Sequence, residues 1–244
     1  MNLIKALKNP QVYFLIAKNK TTNFFRRAFY KGNQVICEIC NWNGKKFFDG
    51  KCPNCNSLPR TRLIPFSIRY FSLKNINPKI LHIAPNKNEY HFIKNNITEL
   101  SSYDRLNIRP VKHINIIQDL TATNLESNIY DLAIAWHVLE HIPEDIKAIT
   151  EVYRLLKTNG KFLISVPIHP KGNLETYEDQ SIEYKDFEKT HGHYDHCRSC
   201  GLDYYKRFET IGFKTQTLCI KNSGLNKINL FGLSGDHVVW CFTK

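Results

Sequence analysis

Strand and helix patterns alternate along the last two thirds of the chain. Short apolar runs at 79–84, 130–136 and 161–166 have the composition of buried strands. The segment 143–157 has apolar residues at helical spacing, acidic residues in its first turn, and Asn-Gly just after its end. Two further strand patterns close the chain. Strands that alternate with helices usually form mostly parallel sheets covered on both faces, so we predict an α/β fold for this region.

Four cysteines in two Cys-x2-Cys pairs precede the α/β region. Cys37 and Cys40 form one pair, Cys52 and Cys55 form the other, and 11 residues separate them. Each pair turns the backbone so that two sulfurs face one point, and four thiolates make a closed, tetrahedral zinc site. Buried thiols or disulfides are the alternatives, and disulfides are rare in cytosolic chains. We therefore predict a zinc ribbon over residues 34–57, with Zn²⁺ in a structural role.

A third Cys-x2-Cys pair, Cys197 and Cys200, lies close in sequence to His191, His193 and His196. A lone pair is a weak signal for a metal site. Whether Cys197 and Cys200 bind a second metal ion therefore stays open at this point.

Basic residues are concentrated in the N-terminal third. The chain carries a net charge of +12, and residues 1–75 contain 14 lysines and arginines against two acidic residues. One interpretation is that these basic residues keep the protein soluble and balance the negative charge of the cysteine thiolates. The other is that they contact phosphate groups, in nucleic acid or at a membrane surface. The basic residues are accompanied by four phenylalanines, Phe14, Phe24, Phe25 and Phe29. Their presence favours weak contact with an anionic membrane surface over contact with RNA.

Residues 1–33 are predicted to form a basic helical segment. No apolar stretch in the chain approaches the ~18–20 residues that a membrane span needs. The apolar run at 12–17 lacks a small-residue cleavage site, which argues against a signal peptide. We expect a cytoplasmic protein, with peripheral association at the inner face of the membrane as an open alternative.

Polar residues follow the predicted strands at the ends where a Rossmann-like domain binds a nucleoside. Ala84 closes the first strand, and Asp104 lies 20 residues later, at the spacing of an acid that holds ribose hydroxyls. A third strand ends before Asp119, where an adenine edge is expected, and a fourth ends at Trp136. The predicted cofactor contacts are His82, Ala84, Pro85, Asp104, Asp119, Leu120, Trp136 and His137.

The segment after the fourth predicted strand resembles class I S-adenosylmethionine-dependent methyltransferases with a type 11 domain. Residues 137–141 read His-Val-Leu-Glu-His, and residues 154–160 read Arg-Leu-Leu-Lys-Thr-Asn-Gly, similar to the family's Arg-x-Leu-Lys-Pro-Gly-Gly. The chain is also similar to a subgroup with an N-terminal zinc ribbon. That subgroup carries Leu-His-Ile-Ala-Pro, as at 81–85, Thr-Tyr-Glu-Asp, as at 176–179, and Asp-His-x-Arg, as at 195–198.

The resemblance covers about residues 34–244 and implies S-adenosylmethionine as the methyl donor. It also implies a Rossmann-like, mostly parallel sheet with a C-terminal antiparallel strand, in a domain at 58–244 that opens with a leading helix in 58–78. The chain departs from the family in one loop, because no glycine occurs between residues 75 and 100. The small side chain of Ala84 is expected to leave room for the cofactor there.

Two histidines are the candidate catalytic residues. His137 stands where the fourth strand meets the predicted pocket, and His196 lies in the long segment 168–201, which we interpret as an acceptor-binding lid. Either imidazole could remove a proton from an oxygen acceptor, while packing beside the cofactor is the alternative for His137. Glu140 and His141 are expected to cap the next helix. The predicted acceptor contacts in the lid are Glu178, Asp179 and Arg198.

The resemblance favours methylation of a small-molecule or glycan acceptor at oxygen. RNA methylation is the first alternative, because some rRNA guanine methyltransferases also join a zinc-binding N-terminus to this fold. Trp42, Phe47 and Phe48 are the aromatic residues that could stack on RNA bases. A second alternative is a non-catalytic zinc-ribbon binding module with a vestigial pocket, which only the glycine-free first loop supports.

Overall fold

The computed structural model describes residues 25–74 and 78–244. Most of the predicted basic segment at 1–33 lies outside these residues. The described part of that segment ends earlier than predicted, because strand β1 (Lys31–Cys37) begins at Lys31. Strand β2 (Trp42–Gly44) pairs with β1 in an antiparallel ribbon, and Cys37 lies opposite Trp42 in its register. The zinc-ribbon unit therefore starts three residues before the predicted boundary.

A seven-stranded sheet forms the body of the protein, in the order β5-β4-β3-β6-β7-β9-β8. Strands β3 to β7 run parallel, and β9 pairs antiparallel with both β7 and β8. The predicted mostly parallel sheet with an antiparallel C-terminal strand is confirmed. The strands are β3 (Ile80–Ile83), β4 (Tyr103–Asn107), β5 (Ile116–Ile117), β6 (Tyr130–Trp136), β7 (Leu156–Ser165), β8 (Lys214–Cys219) and β9 (Val238–Thr243).

Helices cover both faces of the sheet, as predicted for an α/β fold. The helices are α1 (Pro59–Tyr70), α2 (Lys87–Asn96), α3 (Asp145–Leu155), α4 (Phe187–His191), α5 (Lys206–Glu209) and α6 (Leu225–Phe231). Side chains of α3 and α5 pack with Phe162 and Trp240 on one face. Side chains of α1 and α2 pack with Ile134 and Leu163 on the other. Both faces of the central strands are apolar, which explains their continuous hydrophobic runs.

Several boundaries differ from the sequence prediction for local reasons. Helix α3 ends at Leu155, two residues early, because the chain passes directly into β7 at Leu156. The sequence pattern over 202–211 predicts a helix, but only α5 forms there, since the residues before it form turns. Strand β4 continues past Asp104 to Asn107, and this extension moves the acid away from the end of the strand. Among the described residues, no helix has the length and apolar character needed to cross a membrane.

Candidate functional site

The four cysteines of the ribbon lie at the corners of one small cluster. Their sulfurs are all within 4.8 Å of one another. The Sγ–Sγ distances are 3.7 Å for Cys37 to Cys55 and 3.7 Å for Cys40 to Cys52. Tetrahedral Zn–S bonds of about 2.3 Å put neighbouring sulfurs about 3.8 Å apart, so these spacings fit a zinc ion. The Asn54 amide points at the Cys52 sulfur from 3.4 Å, the kind of contact that supports a thiolate ligand.

Arg62 connects the cysteine cluster to the methyltransferase-like body. It lies in α1 with a side chain only 1% exposed, and it stacks on the Phe47 ring at 3.8 Å. Its guanidinium donates hydrogen bonds to the carbonyl oxygens of Gly50, Ser57, Phe231 and Gly232. Burial lowers the pKa of Arg62, and the neighbouring cysteine thiolates oppose that shift. The arginine therefore joins ribbon, α1 and α6 around a site that becomes negative when four thiolates bind one zinc ion.

A cavity of about 400 Å³ opens at the carboxyl ends of β3, β6 and β7. In an open α/β sheet this is the edge where ligands bind. The residues that line it come from the strand ends, α1, the start of α2 and the lid. They are Arg60, Ala84, Asn86, Glu89, Trp136, His137, Glu140, His141, Pro167, Gly192, His193, His196 and His237.

Ala84 forms the turn that leaves β3 beneath this cavity. Its φ of 47° lies in the left-handed region, where glycine is the usual residue. Its amide donates to the Leu106 carbonyl at 2.7 Å, which holds the turn against β4. Asn86 then caps α2, and it exchanges hydrogen bonds with Glu89 in a capping box. The chain thus makes this tight turn with alanine where glycine is usual. The methyl side chain of Ala84 is small enough to leave the cavity above the turn open.

His137 is placed at the cavity by a second left-handed residue. Its φ is 54°, and its amide donates to the Ser165 carbonyl at the end of β7. The ring is largely buried, and its Nε2 has no hydrogen-bond partner among the described residues. Burial, followed by Arg60 and the neighbouring histidines, lowers the pKa of His137 well below its ordinary value. The ring is therefore a neutral imidazole at neutral pH, with a face on the cavity.

Glu140 does not cap a helix, contrary to the prediction from sequence. Its side chain is 1% exposed, and neither carboxylate oxygen has a hydrogen-bond partner among the described residues. Oε1 lies 3.7 Å from His137 Nδ1 and 3.7 Å from His141 Nε2. Burial raises the pKa of Glu140 to about 8. A buried carboxyl group on the wall of a cavity, between two histidines, is a functional group that the sequence analysis missed.

The lid brings His196 to the same cavity, as predicted. The His196 ring lies 4.8 Å from the His141 ring and 4.9 Å from the His193 ring, measured between centroids. Its Nδ1 donates to the His191 carbonyl at 3.3 Å. Burial, with a contribution from His141, lowers the pKa of His196 to about 4. His137 and His196, far apart in sequence, thus line one cavity together.

Arg198 is buried away from the cavity, which corrects its assignment as an acceptor contact. Its side chain is 1% exposed, and it donates to the carbonyl oxygens of Leu139 and Pro143 at 2.7 and 2.8 Å. Its Nε donates to Glu178 at 2.8 Å, and Arg207 donates to the same carboxylate at 3.0 Å. The network fixes the two ends of the 139–143 loop, so Arg198 positions the residues that reach the cavity.

Neither Glu178 nor Asp179 lines the cavity, so both predicted acceptor contacts are placed differently. Glu178 is the ion-pair partner of Arg198 and Arg207. Asp179 is exposed, and its Oδ1 accepts hydrogen bonds from the Ser181 amide and hydroxyl in a local turn. Both acids were assigned from their position in a long segment. The structure shows that the histidine-rich part of that segment, at 191–196, is the part that reaches the cavity.

Asp104 lies at the wrong end of its strand to hold a ribose. It is the second residue of β4, opposite Leu81, and its carboxylate accepts hydrogen bonds from Tyr130 and Asn115. Tyr130 begins β6, so this contact is at the amino edge of the sheet, away from the cavity. Asn107 ends β4 at the carboxyl edge instead. The prediction of Asp104 as a cofactor contact is therefore wrong, because the strand is longer than the sequence pattern indicated.

The other predicted cofactor residues divide into two groups. Ala84 and Trp136 line the cavity, and the Trp136 indole donates to the Arg60 carbonyl at 2.7 Å. The remaining four lie outside the cavity lining. His82 is fully buried against Tyr103, and Leu120 is in the core. The Pro85 carbonyl accepts a hydrogen bond from His113. Asp119 is exposed and forms a turn with Thr121.

Several other cavity residues escaped the sequence analysis, among them three with ionisable side chains that come from outside the lid. Arg60 and Glu89 come from the first turns of α1 and α2, and His237 comes from the residue before β9. Burial raises the pKa of Glu89 to about 7. A sequence signal existed only for Glu89, which stands three residues after Asn86 and so fits a capping box.

The two lone cysteines of the lid do not form a metal site with each other. Cys200 is in the hydrophobic core, and the Cys197 thiol points at the His141 carbonyl at 3.5 Å. The Cys197 amide donates to the Glu140 carbonyl at 2.8 Å. These contacts connect the lid to the loop after β6.

Comparisons with known proteins agree with the architecture. A family model described as "Methyltransferase domain" matches residues 52–218, more than half of the chain. No curated protein matches the chain.

Solved structures with a similar fold include an S-adenosylmethionine-dependent methyltransferase from Mesorhizobium loti (TM-score 0.51, 10% identity, covering 73% of this chain and 96% of that one). One from Archaeoglobus fulgidus has a TM-score of 0.51 and 14% identity, covering 75% and 94% of the two chains. A putative sarcosine dimethylglycine methyltransferase from Galdieria sulphuraria has a TM-score of 0.52 and 15% identity, covering 79% and 85%. At such identities the likeness shows the fold alone, while the family model shows membership: the chain belongs to the methyltransferase-domain family, has the class I methyltransferase fold and carries a four-cysteine ribbon.

Proposed function

We propose that the chain transfers a methyl group from S-adenosylmethionine to a hydroxyl oxygen of a small-molecule or saccharide acceptor. The observation that carries the proposal is the meeting of His137, His141 and His196 at one cavity on the carboxyl edge of the sheet. Its volume of about 400 Å³ falls in the range of ligand pockets, ~300–1,000 Å³. Imidazole nitrogens around such a cavity suit hydrogen bonding to a hydroxyl group.

The cavity fits the methionine part of the methyl donor. Ala84 gives a left-handed turn with a small side chain below it, and the guanidinium of Arg60 on the wall can pair with a carboxylate. When bound, S-adenosylmethionine supplies an electrophilic methyl group on a sulfonium. For the nucleoside part we propose Asn107, at the carboxyl end of β4, as the ribose contact in place of Asp104. Asp119 remains the proposed adenine neighbour, and buried Leu120 can contribute its backbone.

His137 and His196 are proposed to contact the acceptor rather than to support the fold. Both reach the cavity from turns and loops. The Arg198 network fixes the 139–143 loop that follows His137, and Arg198 itself stands two residues after His196, so the spacing of the two histidines is set before an acceptor arrives. In-line methyl transfer depends chiefly on such alignment of acceptor and donor.

Two observations favour a small acceptor over RNA. Two of the three aromatic residues that could stack on RNA bases have little free ring surface. The Trp42 ring is 8% exposed, and the Arg62 guanidinium lies over the Phe47 ring. The Phe48 ring is covered by Arg26 at 4.0 Å. By contrast, Phe29 in the basic region is 74% exposed, which supports the proposed weak contact with an anionic membrane surface. Phe25 is also exposed, at 70%, and the other two aromatic residues of that expectation, Phe14 and Phe24, lie outside the described residues.

The test measures transfer of labelled methyl from S-adenosylmethionine to a panel of saccharides, nucleotide sugars, hydroxy acids and total ribosomal RNA. We expect label in a hydroxyl-bearing small molecule, and a 10²–10⁴-fold lower turnover in His196→Ala. S-adenosylhomocysteine affinity and the melting temperature of that variant should stay close to wild type. His91→Ala, which removes an exposed histidine of α2, is the matched control and should keep full activity.

Label that appears in RNA alone would replace the proposal with the RNA alternative. A His196→Ala protein that melts much earlier yet keeps full activity per folded molecule would make His196 a structural residue. Failure to bind the donor would support the vestigial-pocket alternative.

A further inference from the structure

A carboxylate and two imidazoles meet on the lid side of the cavity. One potential ligand atom each from Glu140, His141 and His196 lies within 4.8 Å of the others. Glu140 Oε1 and His141 Nε2 are 3.7 Å apart, and the two imidazole rings are 4.8 Å apart at 73°. Donor atoms bound to one ion at about 2.1 Å are separated by about 3–4 Å, so small side-chain adjustments bring all three to a common centre.

The other ring nitrogen of each histidine is already engaged. His141 Nδ1 lies 3.1 Å from the Asp195 carboxylate and 3.1 Å from the Asp195 carbonyl. His196 Nδ1 donates to the His191 carbonyl at 3.3 Å. Hydrogen bonds of this kind keep the proton on Nδ1. The unprotonated Nε2 of each ring is then free to bind a metal ion. Carboxylate and carbonyl partners behind the ligating histidines are the usual surroundings of a bound metal ion.

Glu140 supplies an independent sign that a ligand belongs here. Its side chain is 1% exposed, and both carboxylate oxygens lack a hydrogen-bond partner among the described residues. Leaving a buried carboxylate unpaired is costly, and a bound cation would remove that cost. A second group, His193, Asp195 and His196, shares one histidine with the first. Asp195 is already engaged by His193 and His141, so Glu140 is the carboxylate with free oxygens.

The surrounding structure holds the three ligands in place. Arg198 fixes the Leu139 and Pro143 carbonyls on either side of Glu140 and His141. The Cys197 amide donates to the Glu140 carbonyl, so the residue after His196 is tied to the same loop. A site built on two connected segments with fixed backbones needs little rearrangement to bind an ion.

We propose that Glu140, His141 and His196 form a second metal site, for a divalent transition-metal ion, distinct from the cysteine cluster. Two imidazoles and one carboxylate make a donor set for zinc, manganese or iron, and three protein ligands leave coordination positions open toward the cavity. The role of these positions rests on the function proposed above: they would bind hydroxyl or diol oxygens of the acceptor and orient them toward the methyl donor. With the ion bound, His196 would act on the acceptor through the ion, and His137 would remain the direct imidazole contact. Metal binding itself does not depend on that role.

The experiment uses Mn²⁺ as the probe, on full-length protein with zinc already in its ribbon. Manganese prefers oxygen and nitrogen ligands to thiolates, so the ribbon does not compete for it. Electron paramagnetic resonance and calorimetry, without donor or acceptor, should show one Mn²⁺ per chain. Glu140→Gln and His196→Ala should weaken binding at least tenfold, and Asp195→Asn, behind His141, should weaken it about 10–100-fold. His91→Ala should bind as wild type does.

Elemental analysis after incubation with excess Zn²⁺ and gel filtration gives a second readout, with two zinc ions per chain expected in wild type and one in Glu140→Gln. The melting temperature of each variant shows whether it is folded. A wild-type protein that binds no Mn²⁺ and retains only one zinc would overturn the metal site, and so would a folded Glu140→Gln protein with unchanged affinity. Because no methyl transfer is measured, failure of the metal site leaves the proposed methylation standing, and the reverse also holds.

Discussion

The contacts of Arg62 make a quantitative prediction about how the ribbon is attached to the body. Replacement by methionine keeps much of the side-chain volume but removes the guanidinium that donates to the carbonyls of Gly50, Ser57, Phe231 and Gly232. Ser57 keeps a second donor, the Cys52 amide at 3.0 Å. Three partly buried carbonyls then lose a charge-assisted donor, at roughly 1–3 kcal/mol each before relaxation. Allowing for water entry, we expect Arg62→Met to lower the free energy of unfolding by about 3–5 kcal/mol.

The matched control is Arg69→Met, in the same helix. Arg69 also reaches the ribbon, through an ion pair with Glu38, but its side chain is 50% exposed. Exposed ion pairs contribute about 0–1 kcal/mol, so this variant should unfold nearly as wild type does.

Urea unfolding of zinc-saturated protein measures both variants, and a chromophoric chelator reports the rate of zinc release. Arg62→Met should unfold at clearly lower urea and release zinc faster. Equal midpoints and equal release rates for the two variants would refute the view that Arg62 joins ribbon and body.

Two further predictions concern the cysteine cluster and a buried acid. Cys37→Ser should lower the zinc content of the ribbon from one ion per chain, and an unchanged content on elemental analysis would rule out this cysteine as a ligand. Glu89→Gln keeps a capping-box side chain but removes a carboxyl whose pKa burial raises to about 7 from an ordinary 4.5. Because the unfolded chain releases that proton at lower pH than the folded chain does, wild-type stability falls between those two values, by roughly 2–3 kcal/mol. The urea midpoint of Glu89→Gln, relative to that of wild type, should therefore rise between pH 5 and pH 8. Midpoints of the two proteins that change in parallel with pH would contradict the burial argument.

The sequence predicted those elements whose signals are local. The apolar run of β6, the helical spacing of α3 and the paired cysteines each carry their pattern within a few residues, and the structure has them where expected. The placement of His137 followed from the strand that precedes it. Such features depend on periodicity and spacing, which a single sequence displays directly.

The errors arose where a residue's role depends on the end of an element or on distant partners. Asp104 was assigned from its spacing of 20 residues after Ala84, but β4 continues three residues beyond it, which places the carboxylate at the opposite edge of the sheet. Arg198 and Glu178 were assigned as polar lid residues, but their ion pairs depend on residues far away in the chain: Arg198 pairs with Asp145, 53 residues earlier, and Glu178 with Arg207, 29 residues later. Glu140 was expected to cap a helix, but it lies within a 3-10 turn that precedes α3, and its side chain lines the cavity.

Binding of S-adenosylhomocysteine, measured by calorimetry on zinc-loaded protein, tests most directly whether the cavity belongs to a functioning methyltransferase. Saturable binding at one site per chain is expected in wild type. Asp104→Ala should bind as tightly, because that carboxylate lies at the amino edge of the sheet. Ala84→Val should bind at least about tenfold more weakly, since a β-branched residue is strained at a φ of 47° and its added methyl group narrows the cavity. Absence of binding in folded wild-type protein would contradict the placement of the donor in this cavity. So would the opposite pattern in the variants, in which Asp104→Ala loses binding and Ala84→Val binds as tightly as wild type.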